Sequence, residues 1–207
     1  MEAATTFTQF RKGVTGLTSR NCTTSIRRHQ QSKTLTAPCQ RLNHTHPRPV
    51  ACAICASQFD ELISAALQVR LQAYALYSRY PVGAAILTER LKIYSGCNVE
   101  AADYDGTHAE ESALAAMVAA GERAPRLLVV VGALEGAQPS LDAPNFTGPC
   151  GKCRQKLMEF SSLCGYDLDI LEGIREPGVY KLRQLSELLP ASFGPANIGV
   201  DLKKYRG

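Results

Sequence analysis

The chain has 207 residues, 45% of them apolar, with 23 Lys and Arg against 19 Asp and Glu and a formal charge of +4. That content suffices for one well-buried core, and the longest apolar runs, such as Leu127 to Val131 and the alanine-rich stretch after Leu114, are far too short to span a bilayer. The charge is uneven: residues 1–55 carry eight basic residues against the single acid Glu2, while residues 56–207 carry fifteen against eighteen, a balance that argues against DNA or RNA as main partner, since neutralising phosphates takes a concentrated basic surface.

Residues 1–55 hold thirteen Ser and Thr, arginines at 11, 20, 27, 28, 41 and 48, and no hydrophobic period. Such a segment cannot bury enough apolar surface to order itself, and it has the composition of an organelle transit peptide or of a plain disordered tail. The expected organisation is therefore an N-terminal extension over 1–55 and a folded domain over 56–207. The expected localisation is cytoplasmic, or mitochondrial or plastid if the extension is a transit peptide. His44, His46, Cys52 and Cys55 share the extension and have the spacing of a zinc knuckle, but the Pro47-Arg48-Pro49 link lacks the Gly and aromatic residues that shape such modules.

From Ser57 the pattern changes. Phe59, Leu62, Ile63, Ala66, Leu67 and Tyr74 fall at helical spacing behind a capping Ser57. Pro81 to Thr88 predicts a strand, Lys92 to Gly96 its hairpin partner, and Asn98 to Thr107 a loop. His108 opens a second helix that runs to a C-terminal Gly121. Arg126 to Val131 predicts a fully buried strand, residues 132–148 a connection rich in Gly, Pro and Asn, and Cys150 the start of a third helix. Strands over Tyr166 to Glu172 and Val179 to Leu182 follow. Strands alternating with helices imply a layered α/β sandwich.

Chemistry concentrates in two strings, His108-Ala109-Glu110 and Pro149-Cys150-Gly151-Lys152-Cys153. Two cysteines three apart at a helix start place both sulfurs on one side, and the helix N-terminus favours thiolates. With His108 they make three zinc ligands and leave a fourth tetrahedral position open, the arrangement of a catalytic rather than a structural zinc. Glu110, two residues from His108, projects differently from a fourth ligand and suits an acid/base that carries protons. The other cysteines show no disulfide framework, so a reducing compartment is expected, with Cys97 and Cys164 as free thiols.

The paired strings form the His-x-Glu and Pro-Cys-x-x-Cys signature of zinc deaminases. With AYALYSRYPVGAAILT, YSGCNVE and LLPASFGP in the same order, the chain from about Ala65 to Gly199 resembles the cytidine deaminase family. The resemblance implies a three-layer α/β/α sandwich with a central mixed sheet. It also implies one Zn²⁺ per subunit, and hydrolysis of cytidine and deoxycytidine to uridine and deoxyuridine with release of ammonia, a step of pyrimidine salvage. It further implies that Asn98 and Glu100 hold the ribose hydroxyls, that the Ala109 backbone contacts the base, and that Tyr80 stands where the family usually has Phe. Phe193 corresponds to an aromatic reaching a neighbouring subunit's pocket, which implies a homo-oligomer, a tetramer or a dimer. The partner is a small nucleoside, with no nucleic acid and no membrane.

The chain departs from many single-domain members in carrying His108 for a third Cys and Glu111 for an Arg. Three thiolates leave a zinc site at −1, which an Arg offsets; two thiolates and an imidazole leave it neutral, so an acidic neighbour is tolerated. Leu76 stands where Pro is usual, the loop Ala101 to Thr107 is one residue short, and Thr88-Glu89-Arg90-Leu91 lacks a turn Gly. The loop joins Asn98 and Glu100 to the zinc helix, so its length bears on sugar selectivity. The alternatives to the main reading are a deaminase of a modified aminopyrimidine nucleoside such as blasticidin S, and a catalytically silent zinc-binding homologue.

Overall fold

A computed structural model describes residues 56–137, 145–174 and 180–205. The expected extension and its His44/His46/Cys52/Cys55 cluster lie outside the described residues. In chain order the elements are α1 (Ala56–Arg70), β1 (Val82–Thr88), β2 (Ile93–Cys97), α2 (Ala109–Ala119), β3 (Pro125–Gly132), α3 (Gly151–Cys164), β4 (Asp169–Ile174), β5 (Tyr180–Gln184) and the single-turn α4 (Leu185–Leu188), followed by two 3₁₀ turns.

Five strands form one sheet in the order β2-β1-β3-β4-β5. Every pairing is antiparallel except β3 with β4, which run parallel because α3 forms the crossover between them. The sheet is therefore mixed, and helices cover both faces. Period-two alternation divides its side chains: Ala85, Leu87, Leu127, Val129, Val131 and Leu171 pack under α1 through Phe59, Leu62, Ile63 and Ala66. Ala84, Ile86, Leu128, Val130 and Ile170 pack on the opposite face under Ala113, Leu114 and Met117 of α2 and Leu157 of α3. This is the expected α/β/α sandwich.

Two glycines let the helices approach the sheet. A Cβ on Gly83 would lie 2.1 Å from the Ala66 carbonyl of α1, and one on Gly96 would lie 2.3 Å from the Ala113 nitrogen of α2. Gly96 thus seats α2 directly on β2, and that seating places the helix N-terminus at the sheet's end.

Several boundaries differ from expectation. Ser57 lies inside α1, and Tyr74 lies four residues beyond the helix end, half-exposed, with its N–H on the Asn98 carbonyl. The apolar period does not distinguish a helical tyrosine from one just after the helix. β4 begins at Asp169 rather than Tyr166, since the Tyr166 hydroxyl donates to the Pro125 carbonyl at 2.7 Å and the Asp167 carboxylate accepts from the Ser186 N–H at 3.1 Å. The turn without glycine is made with Leu91 at φ 60°, a left-handed conformation costing a non-glycine residue about 1 kcal/mol. Among the described residues no helix is long and apolar enough to cross a membrane.

Candidate metal and nucleoside site

His108 and Cys150 are both N-cap residues with extended backbone, at ψ 156° and 173° respectively. The caps lead into α2 and α3, so two helix N-termini, each with first-turn amides that have no partner within the helix and a positive dipole end, meet at one point. Cys153 is the third residue of α3 and is 1% exposed. The His108 Nδ1 lies 3.2 Å from Cys150 Sγ and 3.3 Å from Cys153 Sγ, and the two sulfurs are 3.7 Å apart. Among the described residues this is the one cluster of His, Cys, Asp and Glu able to hold a metal ion.

These separations fit zinc. Tetrahedral bonds of about 2.3 Å to sulfur and about 2.0 Å to nitrogen put two sulfurs about 3.8 Å apart and a sulfur and a nitrogen about 3.5 Å apart. The sulfur edge matches, and the two nitrogen edges are a few tenths of an ångström short. Burial pushes the Cys153 thiol well above its ordinary range, reinforced by the Glu110 and Cys150 charges. A buried thiol so placed ionises when a cation arrives, so loading a metal releases protons.

Glu110 is the second residue of α2, 5% exposed. Burial raises its carboxyl above the ordinary range, opposed by its own backbone N–H, by His108 and by a hydrogen bond with Cys153. A carboxyl beside the ligands and shielded from bulk water can take and return a proton. Ala109 is 1% exposed, at the first helical position, where its N–H has no partner within the helix.

Asn98 and Glu100 are held by backbone rather than left open. Asn98 Oδ1 accepts the Val82 N–H at 2.8 Å and its Nδ2 donates to the Tyr80 carbonyl at 3.1 Å. Glu100 Oε2 accepts the N–H groups of Tyr77 and Ser78 at 2.8 and 3.1 Å. Ser78, with these backbone donors, holds the Glu100 carboxyl below its ordinary range. Each side chain keeps spare capacity, since the carboxylate has a second oxygen and the amide a second hydrogen. The segment from Asn98 to Thr107 is more ordered than a plain loop: Val99 and Thr107 exchange both backbone hydrogen bonds at 2.9 and 2.8 Å, and the Glu100 N–H bonds the Tyr74 carbonyl. A cleft of about 260 Å³ opens here, lined by Tyr77, Ser78, Glu100, Ala101, Tyr104 and Gly106.

Tyr80 is half-buried, its hydroxyl 2.8 Å from Thr147 Oγ1. Thr147 Oγ1 donates its one hydrogen to the Gly132 carbonyl at 3.0 Å, so the tyrosine is the donor in the first bond. Phe193 is not brought into this cluster: the residue is 61% exposed, and its carbonyl accepts from Gln155 Nε2 at 2.8 Å.

Some partners escaped sequence reasoning. Thr147 lies in a connection that carries no period. Arg154 ties the loop before Cys150 to the C-terminal part of the chain, through Nε to the Pro149 carbonyl at 2.6 Å and Nη1 to the Leu188 carbonyl at 3.0 Å. Lys152 and Lys156 face Glu111 across the two helices. Their four-residue spacing on α3 is a signal that could have been paired with the acid at Glu111.

Residues 56–163 match the family model for the cytidine and deoxycytidylate deaminase zinc-binding region. The chain is 37% identical to a cytidine deaminase of Sporosarcina psychrophila over 142 residues, covering 67% of this chain and 93% of that protein. It is 35% identical to one of Halalkalibacterium halodurans over 133 residues, covering 64% and 91%. Among solved structures, the cytidine deaminase of Burkholderia pseudomallei superposes with a TM-score of 0.55 at 35% identity, covering 65% of this chain and 98% of that one.

Proposed function

The chain belongs to the cytidine and deoxycytidylate deaminase zinc-binding family, and from that premise we propose that it hydrolyses free cytidine and deoxycytidine to uridine and deoxyuridine with release of ammonia. It is an enzyme of the hydrolytic deaminase class. The observation that carries the substrate reading is the convergence of a buried Glu110 with the His108/Cys150/Cys153 donors at the meeting of two helix ends.

In this reading His108, Cys150 and Cys153 hold one Zn²⁺ per subunit. When bound, the ion supplies Lewis acidity that brings the ionisation of water near neutral pH. Glu110 would take a proton from the attacking water and deliver it to the ring nitrogen of the pyrimidine as the hydroxyl adds to the amine-bearing carbon, then take the remaining proton of that hydroxyl and pass it to the amine, which leaves as ammonia while the carbonyl forms. The N-terminal amides of α2, that of Ala109 among them, face the base, and burial of Glu110 keeps bulk water from competing for its proton. Glu100, fixed by Tyr77 and Ser78, presents its free oxygen to the sugar hydroxyls, with Asn98 beside it. The Tyr80 ring forms a wall, steadied by Thr147. Phe193 acts outside its own subunit, in a homotetramer or homodimer, a role supported by the exposure of the residue.

Zinc-loaded protein mixed with cytidine should lose absorbance in the cytosine band while ammonia accumulates. Absence of both overturns the proposal. A panel of free nucleosides run beside cytidine tests the short 101–107 segment, because preferential turnover of a modified aminopyrimidine nucleoside would replace cytidine as the substrate.

A further inference from the structure

We propose that Glu111, Lys152 and Lys156 form a charge clamp that sets the spacing of the two ligand-bearing helix ends and thereby how tightly the chain retains zinc, an inference that rests on the zinc-deaminase reading above. Glu111 is the third residue of α2, its side chain 7% exposed. Its Oε2 accepts the His108 N–H at 2.9 Å. Its Oε1 receives Lys156 Nζ and lies 3.4 Å from Lys152 Nζ. Lys152 stands between the two cysteines, and Lys156 follows one turn later on the same helix.

One carboxylate is thus tied on one side to the backbone of the histidine ligand and on the other to the helix that brings both sulfurs. An exposed ion pair would contribute little. Here the carboxylate is buried and only the lysines, 47% and 51% exposed, reach water. Removing a lysine leaves a buried anion short of a partner, which costs far more than a surface pair is worth. Removing the Glu111 charge instead leaves two ammonium groups beside a site that must hold a cation. Either change spoils the alignment of donors that lie only 3.2 to 3.7 Å apart. The clamp also accounts for an acid at Glu111 beside a neutral zinc site, since the lysines, rather than the ligand set, balance it.

Lys156, Glu111 and their partners are positioning residues, and zinc affinity is the measurement that separates positioning from mere packing. Competition with a chromogenic chelator should show Glu111→Gln and Lys156→Met each binding zinc about tenfold to a hundredfold more weakly than the parent. The double variant should fall well short of the product of the two losses, and Lys156→Arg should stay within about threefold of the parent. Zinc affinity within about twofold of the parent in all four variants overturns the clamp. So do losses that simply multiply, or a lowered Tm of the metal-free protein with zinc affinity unchanged. Cytidine turnover by the zinc-loaded parent is measured separately: a silent parent whose variants still lose zinc removes the activity reading and leaves the clamp standing.

Discussion

His108, Cys150 and Cys153 are delivered by the first residues of two helices that sit on a sheet, whereas Asn98, Glu100 and Tyr80 are delivered by two loop segments, 74–81 and 98–107, that pair side by side at Tyr74 and Val99. At the metal end the backbone is fixed by regular hydrogen bonding, and Glu110, Cys153 and Glu111 are buried. At the end proposed to hold the sugar the polar side chains spend part of their bonding capacity on holding the loops themselves, as Asn98 does between Tyr80 and Val82. In the proposed reading the difference separates chemistry from selectivity: the end proposed for the metal is set by sheet packing, and the end proposed for the sugar can be reshaped by a change of one residue in loop length.

The largest effect tests the division of labour inside the metal end. Glu110→Gln keeps the shape of the side chain but removes its proton-carrying capacity, so turnover should fall on the order of 10³-fold, while zinc content stays at one per chain by atomic emission. A variant that remains active would move the proton to another group. One that loses its zinc would show that Glu110 supports the ligands as well.

Next comes the scaffold beneath that end. Gly96→Ala drives a Cβ to 2.3 Å from the Ala113 nitrogen, and backbone cannot step aside as a side-chain tip can. The overpacking should cost about 3 kcal/mol, seen as a Tm lower by roughly 9 °C. Zinc binding should weaken with it, because α2 must lift from β2 and carry His108 away. Unchanged zinc affinity despite lowered stability would mean that the metal end does not depend on how α2 is seated.

How much of this was legible in the sequence follows the same divide. His108, Cys150 and Cys153 could be read because ligand chemistry restricts residue type and helix geometry restricts spacing. The sheet could be read because Ala84 to Leu87 and Leu127 to Val131 are continuous apolar runs with both faces covered. What remained hidden was long-range pairing. The meeting of Glu111 with Lys156, 45 residues apart, and of Tyr80 with Thr147, 67 apart, depends on where two elements land, which no local period encodes. Tyr74 was misplaced for the same reason, since its partner is the Asn98 carbonyl, outside its own helix.

A smaller effect is expected at the sugar end. Glu100→Gln retains an oxygen able to accept from Tyr77 and Ser78 but loses the charge that strengthens those bonds and any bond to a ribose hydroxyl. KM for cytidine should rise about tenfold to thirtyfold with kcat within about threefold, the pattern of lost ground-state binding. A fall in kcat equal to the rise in KM would join Glu100 to the chemical step and erase the separation between the two ends.

The smallest effect concerns the direction of one hydrogen bond. Thr147 Oγ1 donates to the Gly132 carbonyl and accepts from the Tyr80 hydroxyl. Tyr80→Phe therefore removes a donor and leaves no buried N–H or O–H stranded, which places its cost near 1 kcal/mol, with KM raised about threefold as the ring loosens. Thr147→Val removes both the acceptor for Tyr80 and the donor for Gly132, stranding a half-buried hydroxyl and a strand carbonyl, so it should cost more than Tyr80→Phe. Measured Tm values for the pair decide the matter. If Thr147→Val is the milder change, the relay from Tyr80 to β3 does not operate as drawn. If Tyr80→Phe instead raises KM a hundredfold at constant Tm, the hydroxyl is spent on the substrate rather than on Thr147, and the wall at the sugar end is a specificity contact in its own right.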